Sequence, residues 1–202
     1  MHALNATPAV SLLILTSLCL SACVAPVTLD RSAPPPTNVE AVLVLGVTHP
    51  DYKMVLFPGV VKDGRFHQDK LRAAPVYAFA TDGYVVAKVK PGETLAITQV
   101  SYIQNHATEV GKHFVVCGES KTLVLRPRAG RISYFATMAY SMQGEELSVR
   151  YRDDLDDAKA FVESAFGRFP PSSIEKGEFE LLSTDRSCQP LDRIVLPVFI
   201  GR

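Results

Sequence analysis

Short apolar runs, each cut off by a glycine or proline turn, recur along most of this 202-residue chain and point to packed β-sheets. The clearest pair is Val76 to Thr81 and Tyr84 to Val89, joined by Asp82-Gly83, a dipeptide suited to a two-residue hairpin turn. Pro91-Gly92 then turns the chain into Thr94 to Ile103, where Leu95 and Ile97 alternate with Thr94, Ala96 and Thr98 as a half-buried strand requires. Further strands are predicted at His113 to Cys117, Lys121 to Arg126, Ile132 to Tyr140, Leu147 to Tyr151 and Gly177 to Ser183, with Ile194 to Ile200 as an edge strand. Upstream, Ala41 to Val47 is short and β-branched and reads as a buried strand. Residues 48–74 carry weaker signals: Met54 to Phe57 stops at Pro58-Gly59, and Lys62-Asp63-Gly64-Arg65 has hairpin-turn chemistry.

One segment departs from the period of two. Residues 153–166 place Leu155, Ala158, Phe161, Val162, Ala165 and Phe166 on one helical stripe, with Asp153 or Asp154 as cap and Asp156 and Asp157 at the positive end of the dipole. Gly167 and Pro170-Pro171 end it. The acidic cluster lacks the alternating oxygen ligands and later Glu of a calcium loop, so capping is the better reading. The predicted fold is a mainly β, antiparallel sandwich with one amphipathic helix packed near its C-terminal end.

The chain's beginning carries an address. The apolar run from Val10 to Leu20 is followed by Leu20-Ser21-Ala22-Cys23, which resembles the lipobox of bacterial lipoprotein precursors. A dozen apolar residues are too few to span a hydrocarbon core, which needs about 20 in a helix. The run therefore reads as the h-region of a signal peptide over residues 1–22, although no Lys or Arg precedes it. The resemblance implies diacylglycerol on the Cys23 sulfur, cleavage before Cys23 and acylation of the new amino terminus. Several acyl chains make a stable anchor where one would be marginal. Val24 stands where the family often places an Asp for inner-membrane retention, so the resemblance implies an outer-membrane protein facing the periplasm or the cell exterior. Residues 23–38, rich in Pro, Ala, Thr and Ser, read as a lipidated, solvated tether, and residues 39–202 as one domain.

Composition narrows the partners. Lys plus Arg and Asp plus Glu both number 21, the first 22 residues hold none of them, and no basic run occurs, so nucleic acid is not an expected partner. Once Cys19 leaves with the signal and Cys23 carries lipid, Cys117 and Cys188 are the remaining thiols. An oxidising compartment favours a disulfide between them; the alternative is two separate buried thiols, because Cys117 ends an apolar strand.

A second, looser resemblance spans residues 39–140. Tyr84 to Glu93, with its strand ending in Pro91-Gly92, then Leu123-Val124-Leu125 and the Gly130 turn into Ile132-Ser133-Tyr134, is similar to small prealbumin-like sandwich domains of bacterial lipoproteins whose function is unassigned. It implies a fold more than an activity.

Motifs that carry chemistry are sparse. Gly118-Glu119-Ser120-Lys121 is a fragment of a hydrolase elbow lying between strands, with no helix after it. Ser173-Ile174-Glu175-Lys176 matches the Ser-x-x-Lys of penicillin-binding enzymes without the downstream motifs. His49, His67, His106 and His113 show no metal-ligand spacing, and no catalytic, metal or cofactor residues are assigned. Tyr134 and Tyr140, placed with Ala136 and Met138 on one strand face by simple alternation, form a candidate recognition face; the plainer reading makes them flank a core Phe135. The functional expectation is a lipid-anchored, non-enzymatic binding or structural module partnered by the membrane and by envelope proteins. An envelope hydrolase with a dispersed site and a small-ligand carrier are the alternatives.

Overall fold

The structure, a computed structural model, describes residues 28–170, 173–190 and 192–200. The lipobox Leu20-Ser21-Ala22-Cys23, the signal segment and the first residues of the expected tether lie outside these. In chain order the elements are β1 (Ala41–Val47), β2 (Tyr52–Lys62), β3 (Arg65–Gln68), β4 (Val76–Phe79), β5 (Tyr84–Val89), β6 (Thr94–Asn105), β7 (Val110–Val115), β8 (Lys121–Leu125), β9 (Ile132–Gln143), β10 (Glu146–Arg152), α1 (Leu155–Ala165), β11 (Ile174–Lys176), β12 (Phe179–Thr184) and β13 (Arg193–Ile200).

Two sheets pack face to face. One contains β1, β5, β9, β10 and β11, the other β2, β3, β4, β6, β7, β8 and β12, and β13 pairs with β10 of the first and β7 of the second. The sandwich is therefore joined into one sheet along the β13 side, while β4 and β5 mark the two ends of the strand order. Alternation along β1 shows how the layers form: Ala41, Leu43, Leu45 and Val47 enter the space between the sheets, and Val42 and Val44 face α1. All seven β1 residues are buried, as expected of a strand covered on both faces. The inter-sheet core is filled by side chains such as Met54, Leu56, Leu95, Ile97, Phe114, Leu123 and Phe135.

The predicted helical stripe is the packed one. Ala158, Val162 and Phe166 are buried against Val42, Val44, Val86, Ile132 and Tyr134, and Leu155, Phe161 and Ala165 border them. Burying Val162 and Phe166 contributes about 1.5 to 3 kcal/mol each. Asp154 occupies the N-cap position, but its carboxylate accepts from Arg152 Nη2 at 2.9 Å and makes no side-chain cap bond.

A third cluster lies inside a small ring. β2 pairs with β3, β3 with β12, β12 with β8, β8 with β6, and β6 again with β2, closing five strands around Phe66, Ala96 and Val124. The β2–β3 connection is the hairpin expected from Asp63-Gly64, both at positive φ (52° and 71°), with Lys62 opposite Arg65.

The pairing corrects several expectations. The sheets are mixed: β1–β9, β10–β13, β9–β11, β3–β12 and β7–β13 are parallel. The segment expected as an edge strand, β13, lies between β7 and β10. Asp82-Gly83 forms its turn, with both residues at positive φ and Thr81 bridged to Tyr84, but the flanking strands then part. β4 pairs with β2 and β5 with β1. Local chemistry sets the turn, whereas six paired positions along buried β1 decide where β5 lies.

The expected tether also behaves differently. Thr28 bridges Ala87 on the outer edge of β5, the Leu29 N–H donates to Val86 O at 2.8 Å, and the Leu29 side chain packs beside the α1 cluster. Arg31 is ion-paired with Asp82, and Arg168 Nη1 donates to Ser32 O at 3.2 Å. Residues 28–38 thus lie along the domain, because one apolar side chain and an unpaired strand edge supply what a Pro-rich segment lacks on its own.

Candidate functional site

An open cleft of about 760 Å³ lies at the end of the sandwich where β5 finishes. Pro91 and Gly92 of the β5–β6 turn form one wall; Val124, Arg126 and residues 127–129, where β8 runs into β9, form another; Gly177 to Glu180 form the third. Val124 belongs both to the cleft and to the ring's apolar cluster, so the cleft floor is apolar while its rim is charged. Arg126 Nε donates to Thr94 Oγ1 at 3.0 Å, and the Arg128 guanidinium lies 3.3 Å from Glu178. With two arginines set against Glu178 and Glu180, the lining has no net charge, which suits an amphipathic or zwitterionic ligand better than a free anion.

A denser polar cluster occupies the opposite end, where β1 turns into β2 and β6 into β7. Lys53, only 3% exposed, donates to Glu109 Oε2 at 2.8 Å, and its ammonium lies 3.6 Å from the Tyr77 ring centroid and 5.1 Å from that of Phe79. Glu109 takes a positive φ of 52°, and the hydrogen bond and charge of Lys53 hold its carboxyl below the usual range. His106 stacks on Phe79 with centroids 4.0 Å apart and lies 3.4 Å from Asp51, whose second oxygen is 3.7 Å from His49. Tyr52 and Tyr102 pack beside His49, and the Tyr140 ring lies against Tyr52. The arrangement is a closed ion pair under aromatic rings with two imidazoles flanking one carboxylate. Among the described residues no three or more His, Cys, Asp or Glu side chains are placed to hold a metal.

The tyrosine recognition face expected from alternation is not formed. In the β1–β9 pairing Val44 faces Tyr134 but Gly46 faces Thr137, so β9 carries one extra residue between them. This bulge sends Phe135, Ala136, Met138 and Tyr140 into the inter-sheet core and leaves Tyr134 under α1, fully buried. Tyr134 and Tyr140 therefore sit on opposite faces. The Tyr134 hydroxyl accepts from the Asp154 N–H at 2.9 Å and lies 3.0 Å from Thr137 Oγ1 and 3.3 Å from Arg152 O, fastening the start of α1 to β9. Tyr134→Phe is expected to lower unfolding free energy by about 1 to 3 kcal/mol by orphaning that N–H. A urea titration with a lower midpoint and unchanged slope checks this.

The thiol question is settled by geometry: Cys117 and Cys188 form a disulfide, with Cα atoms 5.0 Å apart. Beside it the Gly118 N–H donates to Arg186 O at 2.8 Å. His113, exposed on β7, shares a 2.7 Å hydrogen bond with Ser101 Oγ, a cross-strand pair on β6–β7. The Lys53 cluster and the cleft arginines had no distinct sequence signature. The one available hint was an isolated lysine inside the apolar run Tyr52 to Phe57. Comparison with known protein families, curated proteins and solved structures returns no match for this chain.

Proposed function

We propose that this chain is a lipid-anchored lipoprotein of the outer membrane whose β-sandwich acts as a non-enzymatic binding or structural module of the cell envelope. The observation that carries the reading is Leu20-Ser21-Ala22-Cys23 directly after an apolar run of signal length. Two further features agree with it. A disulfide suits an oxidising compartment, and the likeness of residues 39–140 to prealbumin-like sandwich lipoproteins belongs to the same reading. Replacing Cys23 with Ala tests it: the expected product is unlipidated and lost from the membrane fraction, whereas a normal lipidated mass in the variant refutes the anchor. In-cell crosslinking of the anchored and soluble forms then separates envelope partners from incidental neighbours.

The cleft of about 760 Å³ favours a second reading, a carrier of a small amphipathic ligand. Native mass spectrometry of protein purified gently from membranes distinguishes the two. A co-purifying small molecule lost on Arg126→Ala supports the carrier.

A further inference from the structure

We infer that the domain rests on the lipid surface through the end that carries the Lys70-Leu71-Arg72 loop, with Leu71 in the interfacial layer; this rests on the lipid anchor proposed above. Chain length supplies the first argument. Were residues 23–38 a free tether, the anchor could stand about 55 Å from the domain at full extension. Because Thr28 is already paired to β5, only five peptide units separate it from Cys23, about 17 Å at most.

Direction supplies the second. Thr28 faces Ala87 and Leu29 bonds back to Val86, so from Thr28 onward the chain runs antiparallel to β5, away from its Lys88 and Lys90 end. Thr28 lies three residues from Lys90, about 10 Å at the rise of a strand, so an anchor within about 17 Å of Thr28 is close enough to reach that end of the sandwich.

Exposure supplies the third. Leu71 is 98% exposed, the most exposed of the large apolar side chains described, and it stands between exposed Lys70 and Arg72. The Arg72–Glu93 ion pair ties this loop to the β5–β6 turn. An apolar side chain flanked by cations fits a bilayer interface, where the stems of Lys and Arg lie along the apolar boundary and their heads stay in water. Asp69 and Glu93 balance part of the local positive charge, so contact depends on the anchor and Leu71 more than on anionic lipid. The cleft shares Pro91 and Gly92 with this end, so it opens close to the lipid.

The chain contains no Trp, which makes a clean probe available. Full-length lipidated Leu71→Trp and Ala107→Trp proteins are placed in phosphatidylethanolamine–phosphatidylglycerol vesicles containing brominated lipid. Ala107 lies beyond the far end of β6, which runs about 36 Å of strand away from the β5–β6 turn. The expected result is bromolipid quenching at least threefold greater at position 71 than at 107, with a blue-shifted emission at 71 only. Equal quenching, or stronger quenching at 107, in protein whose intact mass shows the lipid overturns the orientation and leaves the anchor standing. An intact mass without lipid on Cys23 overturns both.

Discussion

Replacing Cys188 with Ser, together with Cys117→Ala, is expected to lower unfolding free energy by about 4 kcal/mol in the chain-entropy model for a loop of this length. The bridge closes 71 residues and holds the segment between β12 and β13 against the β7–β8 turn, where the Gly118 N–H also meets Arg186 O. That segment leads directly into β13, the strand that joins the two sheets. The loss is therefore expected to show first as faster amide exchange in β13 and β7, ahead of the β1–β5–β9 region. Denaturant titration with and without reductant measures the total, and exchange mass spectrometry locates it. An unchanged midpoint after complete reduction would remove the disulfide from the account of stability.

Alkaline unfolding should be equally marked. Burial pushes the Tyr140 phenol well above its ordinary range, with Tyr151 and Tyr52 nearby adding to the effect, and burial likewise raises Tyr151, a hydrogen bond at Leu123 opposing it in part. Below about pH 10 these phenols are neutral in both states and contribute no pH dependence. As pH rises further the unfolded chain ionises and the folded chain does not, so stability falls. Each proton retained only by the folded state costs about 1.4 kcal/mol per pH unit. Two such tyrosines remove about 5 kcal/mol over two units, comparable with the whole stability of a small domain. Urea midpoints measured from pH 8 to 12 should hold level and then drop steeply, and Tyr151→Phe should make the drop shallower. Tyrosinate absorbance from the core tyrosines that develops while near-UV dichroism stays native would contradict the argument.

What the sequence conveyed was local. The stripe from Leu155 to Phe166, the fully buried Ala41 to Val47 and the Asp63-Gly64 hairpin each follow from a pattern contained within one segment. Partners and register were not contained in that way. One extra residue in β9 moved Tyr134 and Tyr140 to opposite faces, and no single-chain pattern marks a bulge between two runs of apolar residues. β2 was obscured for a related reason. It carries Pro58-Gly59 in its interior, where the strand passes from the sandwich into the five-stranded ring and an added Cβ at Gly59 would run into His67 O and the Phe66 ring. The Lys53 cluster was hidden with it, because its members come from the β1–β2 turn, β2, β4 and the β6–β7 turn and meet through tertiary pairing alone.

The position of β13 has a consequence for how the molecule is made. Arg193 pairs beside Phe114, and Leu147 beside Val195, so the strand that unites the sheets finds both partners far back along the chain. Such long-separation, parallel pairings are slow to form, since loop-closure entropy is spent before any contact compensates for it. A chain delivered from its N-terminal end must hold β7 and β10 without their shared neighbour until β13 arrives, and Cys188 arrives with it. Oxidation of the thiols and closure of the sandwich thus fall at the same late moment.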